Sequence, residues 1–85
     1  GVVLGNTNVN VILNNNTIHH NQAILGAGIY IWWGNPTIVN NKICNNTSPA
    51  IPGYGSLYIE NSTANIVNNL INGIINLFPH DKGYA

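Results

Sequence analysis

A nine-residue segment built around an adjacent pair of asparagines occurs three times in this chain of 85 residues. The copies align without gaps as LNNNTIHHN from Leu13, IVNNKICNN from Ile38 and IVNNLINGI from Ile66. They start 25 and 28 residues apart, a period that is typical of solenoid coils. A chain with such a repeat buries its apolar surface by stacking equivalent segments on one another, which favours a solenoid over a layered globular fold.

A second motif precedes the asparagine segment at a constant distance. GAGIYI ends at Ile31 and GYGSLYI ends at Ile59, and the first strand position of each lies 9 residues before its asparagine segment. The apolar runs are short, β-branched or aromatic, and bounded by Gly, Asn and Pro, with no helical period. We therefore predict three short strands in each coil.

These repeats predict a single all-β domain over residues 1–85, folded as a parallel β-helix of about three coils. The coils are expected over about 2–28, 29–56 and 57–85, the last completed by residue 1 of a following copy. The sequence shows neither an amphipathic helix nor a charged terminal coil, so we expect a solenoid without caps.

Asparagine fills 18 of the 85 positions, and stacked coils explain why. Equivalent residues of successive parallel coils lie about 4.8 Å apart. Asparagine tolerates left-handed backbone angles at a bend, and its amide both donates and accepts hydrogen bonds. We predict an internal asparagine ladder that satisfies buried polar groups at every level except the ends. Its predicted members are Asn15, Asn16, Asn40, Asn41, Asn68 and Asn69.

Repeats of the NPTIVNNKI and GAGIYI type resemble the right-handed parallel β-helix of the pectin-lyase-like superfamily, and the resemblance covers nearly the whole chain. The resemblance implies a right-handed coil and an extracellular or cell-surface location. Lyases, hydrolases, carbohydrate binders, phage tailspikes and structural surface proteins share this architecture, so the resemblance specifies the fold and leaves the activity open.

Charged side chains are rare, since Lys42, Lys82, Glu60 and Asp81 are the only ones of their kinds and the formal net charge is zero. Nucleic acids and anionic membrane surfaces need a basic patch, so neither is an expected partner. The sequence has no run of about 18 apolar residues, the length that spans a bilayer. The resemblance implies that superfamily enzymes use clustered aspartates with Lys or Arg, often with calcium, whereas Glu60 and Asp81 are predicted on different coils. We predict a non-enzymatic protein with no catalytic residue, metal or cofactor.

Metal-ligating side chains are also sparse. His19 and His20 are neighbours in a strand-like stretch, so they are expected to point to opposite faces and not to bind one metal ion together without a bend. Cys44 is the lone cysteine, and it is expected to be a small apolar filler rather than half of a disulfide.

Aromatic residues are predicted to form a patch on the outer face of one sheet. If Ile29 and Ile31 point inward, alternation directs Tyr30 and Trp32 outward, and Tyr58 stacks on Tyr30 one coil later. The patch has three interpretations: a platform for sugar rings, a contact between neighbouring β-helices, or ordinary cross-strand stacking. Its predicted members are Tyr30, Trp32, Trp33 and Tyr58.

Four asparagines lie in sequons for N-glycosylation, at Asn15, Asn45, Asn46 and Asn61. In a chain so rich in asparagine, several sequons arise by chance. Asn61, in the turn ENST, is the predicted candidate for a glycan.

The two ends of the sequence are complementary. KGYA followed by GVVLGN gives the join GYAGVVL, which matches GYGSLYI of the second motif position by position. With this join the chain comprises three whole coils, and a head-to-tail contact that does not close generates fibres. The predicted junction consists of Gly1, Val2, Leu4, Gly83, Tyr84 and Ala85.

The predicted function is that of a structural, non-enzymatic β-helix unit that stacks end to end into, or is a repeat unit of, an extracellular fibre or elongated surface protein. Its partners would be copies of itself or flanking coils of a longer chain. The alternative is a middle segment of a carbohydrate-binding or polysaccharide-degrading secreted β-helix protein, with a polysaccharide as partner. That alternative predicts sugar binding at Tyr30, Trp32 and Trp33, which a Trp32→Ala substitution would remove.

Overall fold

A computed structural model of the chain describes residues 1–5 and 11–78. Within these residues the chain forms ten short strands, and none of the described segments is a helix that could cross a membrane. The strands are β1 (Val2–Gly5), β2 (Ile12–Asn14), β3 (Thr17–His19), β4 (Ile29–Trp32), β5 (Thr37–Val39), β6 (Lys42–Cys44), β7 (Leu57–Glu60), β8 (Asn65–Val67), β9 (Leu70–Ile71) and β10 (Ile75–Phe78).

The strands form three sheets in which every pair is parallel. The first sheet has the order β1-β4-β7-β10, the second β2-β5-β8 and the third β3-β6-β9. Strands that follow one another in the first two coils lie in different sheets, so the chain winds around a common axis before it returns to the first sheet. The described residues form a parallel β-helix of about three coils, which confirms the predicted fold class.

Equivalent residues of successive coils stack in register around an apolar interior. In the first sheet Val2 pairs with Ile29, Ile29 with Leu57, and Leu57 with Ile75. Because side chains alternate along a strand, these residues and those two positions later face the interior. Isoleucine dominates there because β-branched side chains pack well on a pleated surface. The buried core consists of Ile18, Ile29, Ile31, Ile38, Ile43, Leu57 and Ile59.

At seven corners in the described residues, a single non-glycine residue in the left-handed conformation turns the chain. These residues are Asn15, Asn40 and Asn68 between the second and third sheets, His20 and Asn45 after the third sheet, and Trp33 and Asn61 after the first sheet, with φ between 49° and 61°. Asparagine holds five of these seven positions, since it adopts left-handed angles more readily than most side chains do. The high asparagine content therefore has two causes, the left-handed backbone angles at the corners and the hydrogen bonds between coils.

The third coil returns to the first sheet over a shorter connection than the first two coils do. The connections from the third sheet back to the first contain 9 and 12 residues in the first two coils, whereas only residues 72–74 separate β9 from β10. Gly73 has a φ of 128° in this short connection, a backbone angle that residues other than glycine rarely adopt. Glycine at this position therefore permits the sharp return. As a result β10 pairs with β7, with Ile75 opposite Leu57, and begins a fourth level in the first sheet.

Candidate functional site

An asparagine ladder runs along the corner between the second and third sheets. The Oδ1 of Asn41 accepts hydrogen bonds from the backbone N–H and the Nδ2 of Asn16, at 2.8 and 3.1 Å. Asn69 Oδ1 accepts the same two bonds from Asn41, again at 2.8 and 3.1 Å. The Nδ2 groups of Asn41 and Asn69 also donate to the carbonyls of Leu13 and Ile38 in the preceding coil, at 2.9 and 2.8 Å. Asn41 is only 3% exposed, and its amide is satisfied on both sides.

The other asparagine of each pair bends the chain at the corner and lies outside the inner ladder. Asn15, Asn40 and Asn68 occupy the left-handed corner positions and are exposed. A looser outer row connects two of them, with Asn68 Nδ2 2.6 Å from Asn40 Oδ1 and Asn40 Nδ2 3.4 Å from Asn14 Oδ1. The six residues predicted as one ladder therefore divide into an inner set that forms the ladder and an outer set that bends the chain.

A second, shorter ladder, which the sequence analysis missed, lies at the next corner. Asn46 Oδ1 accepts from the N–H and the Nδ2 of Asn21, at 3.1 and 2.9 Å, and Asn46 Nδ2 donates to the carbonyl of Ile18 at 3.0 Å. Its signal is present in the repeats, because Asn21 and Asn46 both hold the ninth position of their aligned segments. The third segment has Ile74 at that position, so this ladder ends after two levels.

The outer face of the first sheet carries a cluster of aromatic rings. The ring centroids of Tyr30 and Tyr58 lie 5.2 Å apart, with the rings inclined by 70°. Tyr58, Tyr54 and Phe78 contact one another at smaller angles, with centroid distances between 5.0 and 6.1 Å. Two of the four residues of the predicted patch, Tyr30 and Tyr58, thus contact each other across neighbouring strands.

Glu60 lies beside this cluster and is the one acidic residue in the described part of the chain, Asp81 being outside it. The Tyr30 hydroxyl donates to Glu60 Oε1 at 3.2 Å. Burial, and after it the negative charge of Glu60, raises the pKa of Tyr30 and Tyr58 above the ordinary value of 10.0. Both phenols are therefore neutral hydrogen-bond donors at physiological pH.

Trp32 and Trp33 lie at the end of β4, next to the aromatic cluster. Trp32 pairs with Gly5 of β1 and with Glu60 of β7. Its indole lies against Gly5, where a Cβ would collide with the ring. Trp32 is 38% exposed, and Trp33, which adopts the left-handed conformation at the corner, is 45% exposed. These two residues are the more accessible part of the predicted patch.

His19 and His20 do not lie on opposite faces as expected. β3 ends at His19, and His20 turns the chain in the left-handed conformation with φ of 56°. This turn brings the two Nδ1 atoms within 2.6 Å of each other, a hydrogen-bonding distance. Within residues 1–5 and 11–78, no three His, Cys, Asp or Glu side chains converge on a site for a metal ion, and Cys44 is a free, half-buried thiol.

Asn61, the predicted glycosylation site, lies at the corner after β7. Its φ is 49°, and its backbone N–H donates to the carbonyl of Phe78 at 2.9 Å. The residue is half-buried, because β10 lies directly against this turn.

The two ends of the stack expose strand edges and interior side chains. Among the described strands, β1, β2 and β3 form the N-terminal edge, and β8, β9 and β10 form the C-terminal edge. Leu77 is 61% exposed, whereas Ile59, its partner in the adjacent level, is 3% exposed. Of the predicted junction, Gly1, Val2 and Leu4 lie at the N-terminal edge, and Gly83, Tyr84 and Ala85 lie outside the described residues.

The fold and the two ladders place this protein in the class of parallel β-helix solenoids. Comparison of the chain with protein-family models, with curated proteins and with solved structures gave no match. Its ladders, aromatic face and open ends are the features from which a function can be inferred.

Proposed function

We propose that this protein is a structural, non-enzymatic β-helix unit that extends by end-to-end stacking, in an extracellular fibre or an elongated surface protein. Its repeats resemble the right-handed coils of the pectin-lyase-like superfamily, which includes structural surface proteins. The partner is a further parallel coil, supplied by a second copy or by flanking coils of a longer chain. The observation that carries the proposal is the direction of the asparagine ladders.

Both ladders run in the same direction. In each, an Oδ1 accepts from the coil on its N-terminal side, and the Nδ2 of the same residue donates to a carbonyl of that coil. Asn16 stands at the first level of the longer ladder, so this pattern turns its Oδ1 toward the N-terminal end. Asn69 stands at the last level, and the same pattern turns its N–H toward the C-terminal end. The two ends are therefore complementary as acceptor and donor, which fits head-to-tail stacking and disfavours head-to-head contact.

Stacking would also pair the open strand edges. Each of the three sheets in the described residues ends in an edge strand on both sides, and such edges readily accept further strands. An added coil would cover interior side chains such as Ile66 and Ile71, which are only partly buried, and continue the parallel hydrogen bonding, as in cross-β stacks. The formal net charge of zero gives two copies no long-range repulsion.

Electron microscopy of the purified chain at physiological salt tests the proposal, with two variants as a matched pair. Asn16→Ala removes the acceptor from the N-terminal end, while the backbone N–H at this position still donates to Asn41. Asn15→Gly alters the neighbouring residue but retains the left-handed turn. We expect filaments from the wild type and from Asn15→Gly, and a higher threshold concentration for Asn16→Ala. Discrete particles of one length from all three proteins would contradict end-to-end stacking.

A second candidate function is carbohydrate binding, favoured by the exposure of Trp32 and Trp33 beside Glu60. Tryptophan offers a large apolar ring with a polar handle, and a carboxylate accepts hydrogen bonds from hydroxyl groups. Titration with soluble polysaccharides, followed by tryptophan fluorescence, distinguishes the two functions. Saturable binding that Trp32→Ala abolishes, in a protein that forms no filaments, would favour this alternative.

A further inference from the structure

The C-terminal end of the stack is uneven. Among the described strands, four belong to the first sheet and three to each of the second and third sheets. The additional strand is β10, which lies where the first sheet of an added coil would continue beyond β7. A second copy that placed its β2 next to β8 and its β3 next to β9 would bring its β1 to the position that β10 fills. β10 and an added coil therefore compete for one site.

β10 is weakly held in this site. Ile75 and Leu77, which face the interior, are 38% and 61% exposed, since the second and third sheets have no described strand at this level to cover them. The Oδ1 of Asn76 is buried and has no hydrogen-bond partner among the described residues, which is unfavourable. The ring contact between Phe78 and Tyr58, with centroids 5.0 Å apart, opposes release of the strand.

β1 is better suited to the same site. It presents Val2 and Leu4 to the interior and so matches the alternation of β10. In the outward row of the first sheet, Val3 of β1 corresponds to Asn76 of β10. If β1 replaced β10, the apolar side chain of Val3 would lie where the Asn76 oxygen now lacks a partner. The replacement would also cover Val3, which is 68% exposed.

We propose that β10 is a displaceable strand, and that the C-terminal end binds a second copy of this chain by exchanging β10 for the β1 of that copy. This inference rests on the proposed function and specifies its contact surface. After exchange, Val2 and Leu4 of the second copy lie opposite Leu57 and Ile59, and the Asn16 Oδ1 of that copy accepts from Asn69. Before exchange, β10 blocks the addition of a coil in this register.

The axial repeat separates strand exchange from addition beneath β10. After exchange, each chain contributes three stacked strands to every sheet. Because stacked strands lie about 4.8 Å apart, the axial repeat is about 14 Å per chain. Addition beneath β10 leaves four levels per chain in the first sheet and gives a repeat of about 19 Å. Fibre diffraction or the layer lines of filament images measure this repeat directly.

Two proline substitutions in β10 distinguish the same alternatives. The carbonyl of Phe78 accepts from the N–H of Asn61, so by strand alternation the Asn76 N–H also faces β7, and the Leu77 N–H faces the open edge. Asn76→Pro therefore weakens the pairing of β10 with β7, whereas Leu77→Pro removes a donor from the open edge. Phe78→Ala weakens β10 without a proline, because it removes the ring contact with Tyr58.

Filament formation is measured by light scattering against protein concentration, with circular dichroism to check that the coils remain folded. We expect Asn76→Pro and Phe78→Ala to lower the threshold concentration by about tenfold, and Leu77→Pro to leave it no higher than in the wild type. We also expect a repeat of about 14 Å. A repeat of about 19 Å, with filaments lost in Leu77→Pro, would overturn strand exchange and leave end-to-end stacking intact. Particles of one length from the wild type and every variant would overturn both.

Discussion

At the corner between the second and third sheets, two neighbouring asparagines use different properties of the same side chain. The first, as in Asn40, adopts a left-handed backbone angle that most residues adopt only with strain. The second, as in Asn41, has an amide that donates and accepts at once, so one residue type satisfies the levels on both sides. An ionised aspartate only accepts, so it could not replace the inner residue. This division explains why the residues recur as a pair.

Asn41→Ala should destabilise the fold by about 3 kcal/mol, because the partly buried N–H of Asn16 and carbonyl of Leu13 lose this partner and Asn69 Oδ1 retains only the backbone N–H of residue 41. Asn40→Gly, one residue earlier, keeps the left-handed turn and loses only exposed hydrogen bonds, so we expect a change within about 0.5 kcal/mol. Urea unfolding followed by circular dichroism measures both free energies. Equal losses in the two variants would contradict the division between ladder and turn.

Glu60→Gln should lower the pKa of Tyr30 and Tyr58 toward 10.0 without reaching it, because burial, the larger cause of the increase, remains. A raised phenol pKa means that the folded chain keeps a proton that the unfolded chain loses. Stability is therefore full below pH 10 and falls as the pH rises through the raised pKa. Titration of the tyrosinate absorbance measures the change, and we expect ionisation to begin at lower pH in the variant. An identical titration in both proteins would show that the charge of Glu60 has no influence on these phenols.

At the scale of the strand, the sequence predicts the strands that repeat from coil to coil. It does not predict that the last strand, β10, pairs with β7. β4 and β7 could be predicted because their alternation and their distance from the asparagine segment are the same. The position of β10 could not, because it depends on how sharply residues 72–74 turn and on which edge remains open. Both are properties of the assembled coils, and the alternation of Ile75 and Leu77 alone does not specify them.

The second ladder shows a different limit of sequence reasoning. Asn21 and Asn46 hold equivalent positions, but a column of two members does not stand out in a chain with 18 asparagines. The predicted pairs were recognisable because they recur in all three segments. Trp33 as a corner residue is harder still to predict, since tryptophan, unlike asparagine and histidine, is not typical of left-handed turns.

Gly73→Ala should loosen β10 and leave the other coils intact. A Cβ at Gly73 would collide with the Ser56 hydroxyl, and a φ of 128° is strained for alanine. Because Gly73 determines the return from β9 to β10, we expect faster amide exchange at Asn76 and Phe78 and no change at Ile38. Hydrogen exchange followed by NMR measures each amide separately.

Gly53→Ala is the matched control for this experiment. Gly53 also has a positive φ, of 94°, but a Cβ there would meet Ile74 Cδ1 at an ordinary 3.5 Å. The control therefore introduces backbone strain without a collision in the connection to β10. Selective loosening of β10 in Gly73→Ala alone supports the role of that connection, and equal loosening in both variants would contradict it.

At the scale of the whole molecule, the coils of residues 1–5 and 11–78 form a directional stack with unpaired strand edges at both ends. In a solenoid each coil contacts only its neighbours, so the outermost coils gain about half the packing of an inner one. The exposure of Leu77, at 61% against 3% for its partner Ile59, reflects this loss. At the C-terminal end β10 compensates in the first sheet only, which leaves the edges of β8 and β9 as sites for further pairing.

Assembly should depend little on ionic strength, because the chain has two basic and two acidic side chains besides its histidines and a formal net charge of zero. We expect the threshold concentration for filaments to change by less than about twofold between low and physiological sodium chloride. Sodium sulfate should lower the threshold, since it strengthens the burial of apolar surface. A steep dependence of the wild type on sodium chloride would indicate that charge repulsion controls assembly, in conflict with the complementarity of Asn16 and Asn69.

Val3→Lys provides the charged control for this measurement, because Val3 lies exposed at the N-terminal edge. In a filament with a repeat of about 14 Å, the substitution adds one positive charge per repeat, a spacing similar to the Debye length of about 10 Å at 0.1 M salt. The added charges should repel one another at low salt and be screened as salt rises. We therefore expect the variant to assemble poorly at low sodium chloride and to recover at high concentration, whereas the wild type stays constant. A variant that assembles as readily as the wild type at low salt would contradict repulsion between the added charges of successive repeats.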